Sequence, residues 1–173
     1  MFNDRFEIQG EIGRGPTGTV FRVREKATGR DAAIKQIQPT PDSDIVFQRF
    51  SAEYEKIRSL NHPNIVTVFE HAADEQGPYI VSEFVQGISV HQRIIQSGPI
   101  PVPEALAIIS AVVGALSQAH SLNLLHLNLK PANVLLLGQG PNLQAKVTDF
   151  GLWRSGSDPG GLNPQLAFYQ APE

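Results

Sequence analysis

The string Gly13-Arg14-Gly15-Pro16-Thr17-Gly18 limits this chain's fold more than any other feature, because of what flanks it. Before it, Phe6, Ile8 and Ile12 alternate with polar residues, the pattern of a half-buried strand. After it, Val20, Phe21 and Val23 continue as a second β-rich run. Three spaced glycines alone are most often a turn with no ligand, and a dinucleotide-binding α/β fold would need a helix directly after them. With a strand there instead, the glycines sit in a hairpin. Pro16 removes one N–H donor near its tip and stiffens it.

The run that follows keeps the β character. Ala27-Thr28-Gly29-Arg30 reads as a turn, and Asp31 to Ile37 as a strand holding Ala32-Ala33-Ile34-Lys35. A lysine in an apolar strand is, taken alone, a snorkelling surface residue. Pro39 to Asp44 is a turn-rich linker. A helix is expected from about Ile45 to Leu60, with Phe47, Phe50, Tyr54 and Ile57 at helical spacing and Glu53 and Glu55 also on it. Two further strands are expected at Ile65 to His71 and Pro78 to Val85.

Beyond Val85 the pattern turns helical. Gly87 to Gln96 reads as a short helix closed by Ser97-Gly98-Pro99, and Pro103 to Ser121 as a long apolar one, with Pro103-Glu104 suited to its first turn. Its residues Leu106, Ile109, Val113 and Leu116 are the expected core stripe. The most apolar run, about Ala105 to Leu116, is too short for a membrane span. With strand-like sequence starting at Phe6, no signal peptide is expected before it. After the helix come His126-Leu127-Asn128-Leu129-Lys130-Pro131-Ala132-Asn133, the strand Val134-Leu135-Leu136, a turn at Gly138 to Asn142, and the strand Ala145-Lys146-Val147-Thr148 ending in Asp149-Phe150-Gly151.

Composition excludes some functions. A net charge of -3 gives no electrostatic case for nucleic acid or an anionic membrane. The chain has no cysteine, which rules out disulfides and thiolate metal sites and is compatible with a reducing, cytoplasmic setting.

Taken in order, these landmarks resemble the protein kinase family, whose catalytic loop reads H-R-D-L-K-P-x-N. The glycine hairpin, the strand lysine, His126 to Asn133, Asp149-Phe150-Gly151 and the final Ala171-Pro172-Glu173 all fall in the family's sequence, from residue 6 to 173. The resemblance implies an α+β, two-lobe fold: a β-rich N-lobe with one helix (1–84), then a hinge and the first part of a helical C-lobe (85–173) ending at the activation segment. The rest of that lobe is not in this sequence. The chain is then either cut from a longer product or truncated, exposing apolar surface to a partner.

The same resemblance implies an ATP and Mg²⁺ site. Gly13, Gly15 and Gly18 would cover the phosphates with backbone N–H groups, and Lys35 would grip the α- and β-phosphates with Glu53 as its ion-pair partner. Glu55 points about 200° further round the helix and would be solvated. Ser82 would be a small gatekeeper, and the Glu83 carbonyl and Val85 amide would meet the adenine edge. Val20 and Ala33 would cover the adenine from above and Leu135 from below. Asn133 and Asp149 are hard oxygen ligands suited to Mg²⁺, and Lys130 would neutralise charge near the γ-phosphate. Ile57, Val68, His126 and Phe150 would form a stacked spine, giving His126 a packing role.

Three departures touch the transfer chemistry. Asn128 stands where the family has its catalytic aspartate, Leu127 where it has arginine, and Leu166 where it has a threonine that bonds that aspartate. The expectation is therefore an ATP- and Mg²⁺-binding, serine/threonine-type pseudokinase or very weak kinase. Two alternatives stay open: an active atypical protein kinase acting on a protein substrate, and an interaction module with no nucleotide function. Ser155 and Ser157 are either phosphate acceptors or ordinary solvated loop serines. Neither the substrate nor a protein partner can be named from the sequence.

Overall fold

A computed structural model describes residues 2–15, 17–38 and 43–152. They fall into two compact units, one drawn from Met1–Asn61 and Val66–Gln86, the other from His62–Ile65 and Gly87–Glu173.

The first unit is an antiparallel sheet of β1 (Phe6–Gly15), β2 (Gly18–Glu25), β3 (Asp31–Ile37), β4 (Val68–Asp74) and β5 (Gly77–Glu83), in the order β1-β2-β3-β5-β4, with helix α1 (Ser43–Ser59). The glycine string is a hairpin, as its flanks predict, with Gly15 opposite Gly18. Two register shifts in β1, between Ile8 and Gly10 and between Glu11 and Gly13, break the simple alternation. Ile8 and Ile12 are exposed while Phe6 is buried.

Period-two alternation puts Ala32 and Ile34 on one face of β3, where they pack with Phe2, Phe6, Val23, Tyr79 and Val81. Phe2 lies outside the expected strands yet is fully buried, its ring edge-on to Tyr79 at 5.2 Å. Its backbone N–H donates to the Asp74 carboxylate at 2.6 Å. Next to it Arg5 bridges Glu70, at 2.6 Å, and Glu25. Those two acceptors, Glu70 foremost, push the Arg5 guanidinium further above its already high range. On α1, Phe50 and Ile57 are buried, and the Tyr54 hydroxyl donates to the Phe69 carbonyl at 2.9 Å.

β4 begins at Val68, not at Ile65. Ile65 belongs to the second unit, where it forms a parallel bridge to Val147, and a residue committed there cannot also open β4. β5 ends at Glu83, so Phe84 and Val85 fall outside it.

The second unit has a sheet of β6 (Ile88–Ser89), β7 (Val134–Leu137) and β8 (Gln144–Val147), with helices α2 (Val90–Ser97) and α3 (Val102–Ser121). The short helix starts later than its sequence suggests because Ile88 and Ser89 first pair with β7. Ser89 then caps α2, accepting the Gln92 N–H, while Gln92 returns a bond to the Ser89 N–H.

The expected core stripe of α3 is not the buried one. Leu106, Ile109 and Val113 are 63%, 58% and 56% exposed, while Ile108, Ala115 and Ala119 are buried. α3 is apolar almost all round, so periodicity cannot choose its inner face. Small side chains choose it, because they let the backbone come close to its neighbours. A Cβ on Gly114 would already stand 3.3 Å from the His62 ring. Ile108 packs with Val90, Val134, Leu136 and Ala145. At 20 residues α3 is also longer than the apolar run that suggested it, and by length and hydropathy it would pass for a membrane span. Core helices of globular units pass the same test, so this decides nothing by itself.

Candidate functional site

In the first unit the backbone pairing gathers the expected nucleotide-facing residues on one sheet face. Val20 is paired with Lys35, Lys35 with Ile80, and Ala33 with Ser82. Ala33 and Lys35 alternate with Ala32 and Ile34, so this face is opposite the Phe2 core. The three glycines differ in their reasons for being glycine. At Gly15 an added Cβ would meet nothing within 4 Å, and at Gly13 only Val20 at 3.9 Å. At Gly18 it would stand 2.1 Å from the Gln36 carbonyl oxygen, and φ is 153°. Gly18 is thus required by the approach of β3, with no ligand needed to explain it.

Glu53 lies half-buried on α1, and its carboxylate meets Lys56 Nζ at 3.4 Å. Glu83 has a role the sequence does not reveal. Its N–H donates to the Thr67 carbonyl at 2.9 Å and its side chain accepts the Thr67 N–H at 2.8 Å, so it clamps the approach to β4. The Ser82 hydroxyl lies 3.5 Å from the Glu83 carbonyl. Val85 is half-buried just after β5.

In the second unit the catalytic-loop residues form one web. His126 is buried, its Nε2 2.9 Å from the Thr148 carbonyl, and its Nδ1 accepts the Asn128 N–H at 3.3 Å. An acceptor role for Nδ1 makes Nε2–H the donor to Thr148, which is the neutral imidazole. Burial pushes the His126 pKa down, with the Thr148 carbonyl partly opposing it. The ring stacks against Phe150 at 4.6 Å. This is a packing histidine.

Asn133 Nδ2 donates to the Asn128 carbonyl at 2.8 Å, and the Thr148 N–H donates to the Asn133 carbonyl at 3.0 Å. Those bonds hold Asn133 beside Thr148, the residue before Asp149. They also leave the Asn133 amide oxygen as its only atom able to ligate a cation. Asp149 itself sits at φ 68°, a left-handed conformation that aspartate tolerates. Lys130 opens the 3-10 turn Pro131–Asn133, and Leu135 is half-buried on β7. Among the described residues no three His, Cys, Asp or Glu side chains gather as a metal cluster.

Asn128 is 8% exposed. Its Nδ2 donates to the Leu152 carbonyl at 3.1 Å, and its Oδ1 is buried with no hydrogen-bond partner among the described residues. Pro16, Ser155, Ser157, Leu166 and Ala171-Pro172-Glu173 lie outside the described residues.

Sequence reasoning missed several supports. Gly87 passes so close to β7 that a Cβ would stand 2.0 Å from the Leu136 carbonyl oxygen. The Asn64 side chain donates to the Ala145 carbonyl and the Asn64 carbonyl accepts the Val147 N–H, both at 2.8 Å. The Ser89 cap was readable, since Ser-x-x-Gln before a helix is a capping signature.

These features define an α+β fold in which a glycine hairpin and a strand lysine accompany Asn133 and Asp149. The chain belongs to the protein kinase family: the family's protein kinase domain matches residues 6–173. It is 38% identical to the probable serine/threonine-protein kinase PknB of Lactococcus lactis over 179 residues, covering 100% of this chain and 28% of that protein. It is 34% identical to the serine/threonine-protein kinase PrkC of Bacillus subtilis over 149 residues, 86% of this chain and 22% of that one. The chain thus spans between a fifth and a third of these two relatives' lengths. Among solved structures it resembles the Mycobacterium tuberculosis PknI kinase domain (C20A_R136A double mutant), with TM-score 0.79 and 31% identity over 88% of this chain and 61% of that one. It also resembles Rad53 1-466 in complex with AMP-PNP, with TM-score 0.74 and 31% identity over 87% of this chain and 39% of that one.

Proposed function

We propose that this chain is an ATP- and Mg²⁺-binding module of serine/threonine-kinase type in which phosphoryl transfer is absent or very slow. The observation that carries this is Asn128. Where the family has a carboxylate, the structure has an amide whose nitrogen is already given to Leu152. Its remaining oxygen is buried and takes no proton at neutral pH, so the side chain cannot serve as a general base.

Residues of each unit suit the nucleotide. Gly15 leaves open space at the hairpin and Gly13 only an ordinary contact with Val20, and Val20, Ala33 and Lys35 share a sheet face. Asn133 and Asp149 supply two hard oxygens, adequate for a cation that keeps several waters and takes further ligands from phosphate. When bound, Mg²⁺ would neutralise phosphate charge there. Rad53, a structural relative, was solved with AMP-PNP, which supports a nucleotide in the same fold. In this reading Lys35 binds phosphate with Glu53 as partner, Glu83 and Val85 meet adenine through their backbone, Leu135 packs under it, and Lys130 faces the γ-phosphate. The cytoplasm and an unnamed protein partner belong to the same proposal.

The test is the melting temperature of the chain with ATP at about 100-fold over its dissociation constant, in magnesium and then in EDTA. Binding adds roughly 2.7 kcal/mol, on the order of 5–10 °C for a domain of this size. A rise in magnesium that vanishes in EDTA is the expected result. A cooperative melt that does not move with ATP would favour an interaction module without nucleotide function.

A further inference from the structure

We infer that Asn128 is a latch, holding the start of the segment beyond Asp149-Phe150-Gly151 against the catalytic loop through an N–H that an aspartate does not have. Nδ2 and the Leu152 carbonyl meet at 3.1 Å across 24 residues of sequence. Both residues are buried, Leu152 to 2% exposure. The Leu152 N–H turns back to the Asp149 carbonyl at 3.3 Å, so both backbone groups of this residue are engaged, one by the local turn and one by Asn128.

The chemistry of the contact is specific to an amide. An ionised carboxylate is acceptor-only, and would face the Leu152 carbonyl with like partial charge at a site where water does not intervene. Flipping the amide would set oxygen against oxygen in the same way, which fixes the assignment of Nδ2 and Oδ1. Oδ1 is buried with no hydrogen-bond partner among the described residues, so there the Leu152 bond is the side chain's anchor.

The loop around it is built to hold that position. Leu127 has φ 56°, a left-handed conformation unfavourable for a residue with a Cβ. The Asn128 N–H donates back across it to the His126 ring, and the Asn128 carbonyl accepts from Asn133 Nδ2. The exchange of aspartate for asparagine therefore adds a contact as well as removing a base. This inference holds whether or not the chain binds nucleotide.

Residue-resolved amide hydrogen exchange on the full chain tests it, using wild type, Asn128→Asp and Asn128→Ala. The latch predicts exchange at Gly151 and Leu152 at least tenfold faster in both variants, with Asn128→Asp as loose as Asn128→Ala or looser. Protection in β1 to β5 stays as in wild type. A role in mere space filling gives the opposite order, because aspartate is the isostere and alanine leaves a hole. Wild-type exchange at Gly151 and Leu152 in Asn128→Asp overturns the inference. If Asn128→Asp loses protection in β7 and β8 as well, Asn128→Ala decides. Loosening confined to Gly151 and Leu152 upholds the latch, and wild-type exchange there rejects it.

Discussion

On β3, the side chains expected to meet nucleotide stand on a face fixed by backbone pairing, and none of the ladder bonds depends on what Ala33 or Lys35 carries. In the catalytic loop the reverse holds: the side chains of His126, Asn128 and Asn133 each make bonds to the backbone that shape the loop. A residue on the sheet face can change its chemistry without moving the site. A residue in the loop cannot, because its chemistry is also a structural bond. Asn128 shows the consequence, since its amide nitrogen is itself the bond to the Leu152 carbonyl.

Four expected outcomes would break or sharpen that contrast. The largest concerns the loop: Asn128→Asp returns a general base and should raise phosphoryl transfer to a generic serine/threonine peptide by roughly 10²–10⁴-fold, or about 3–5 kcal/mol of barrier. Radiolabelled phosphate incorporation measures it, and a wild type already as fast as the variant would end the pseudokinase reading. Next, Ile34→Ala on the core side of β3 should cost about 2–5 kcal/mol in urea unfolding, because Ile34 is fully buried. A negligible loss would mean the first unit is held less by its core than its sheet suggests.

The third uses pH. His126 is kept neutral by burial, so its folded pKa lies below the unfolded value of about 6.5. The unfolded chain takes up the proton first, so stability from neutral His126 is intact above about 6.5 and is lost as pH falls through the folded pKa. Thermal melts of wild type and His126→Phe across that range should diverge on the acid side, and parallel curves would show the loop web to be insensitive to this ring. The smallest effect belongs to α3, where Leu106→Gln should stay within about 0.5 kcal/mol of wild type in this chain. A loss of several kcal/mol would restore Leu106 to the core.

The sheet was more legible in the sequence than the loop, for a physical reason. Strand β3 runs from Asp31 to Ile37 as its composition suggests, because a central strand flanked by turns leaves little choice. The fold class followed from the hairpin glycines and from the order of motifs. The boundary at Ile65 was misplaced because its bridge to Val147 is a distant pairing that local pattern does not carry. The inner face of α3 was misplaced because alanine and glycine write the close approach while the larger side chains draw the eye. At the site, motif spacing singled out Lys35, Asn133 and Asp149 as candidates, and the resemblance suggested packing for His126. Nothing in the sequence could point to Leu152, since it takes part through a carbonyl that every residue has.

Phe2 carries a lesson about where this domain starts. The family match opens at residue 6, yet the ring four positions earlier fills the first unit's core and rests on Tyr79. A boundary drawn by motif would cut away an aromatic whose loss from a core typically costs about 3–5 kcal/mol. It would also release the Asp74 and Arg5 contacts that fasten the leading edge of the chain to β2 and β4. The first unit's core includes a residue that belongs to no recognised motif, so the packed unit reaches beyond the stretch that family resemblance marks out.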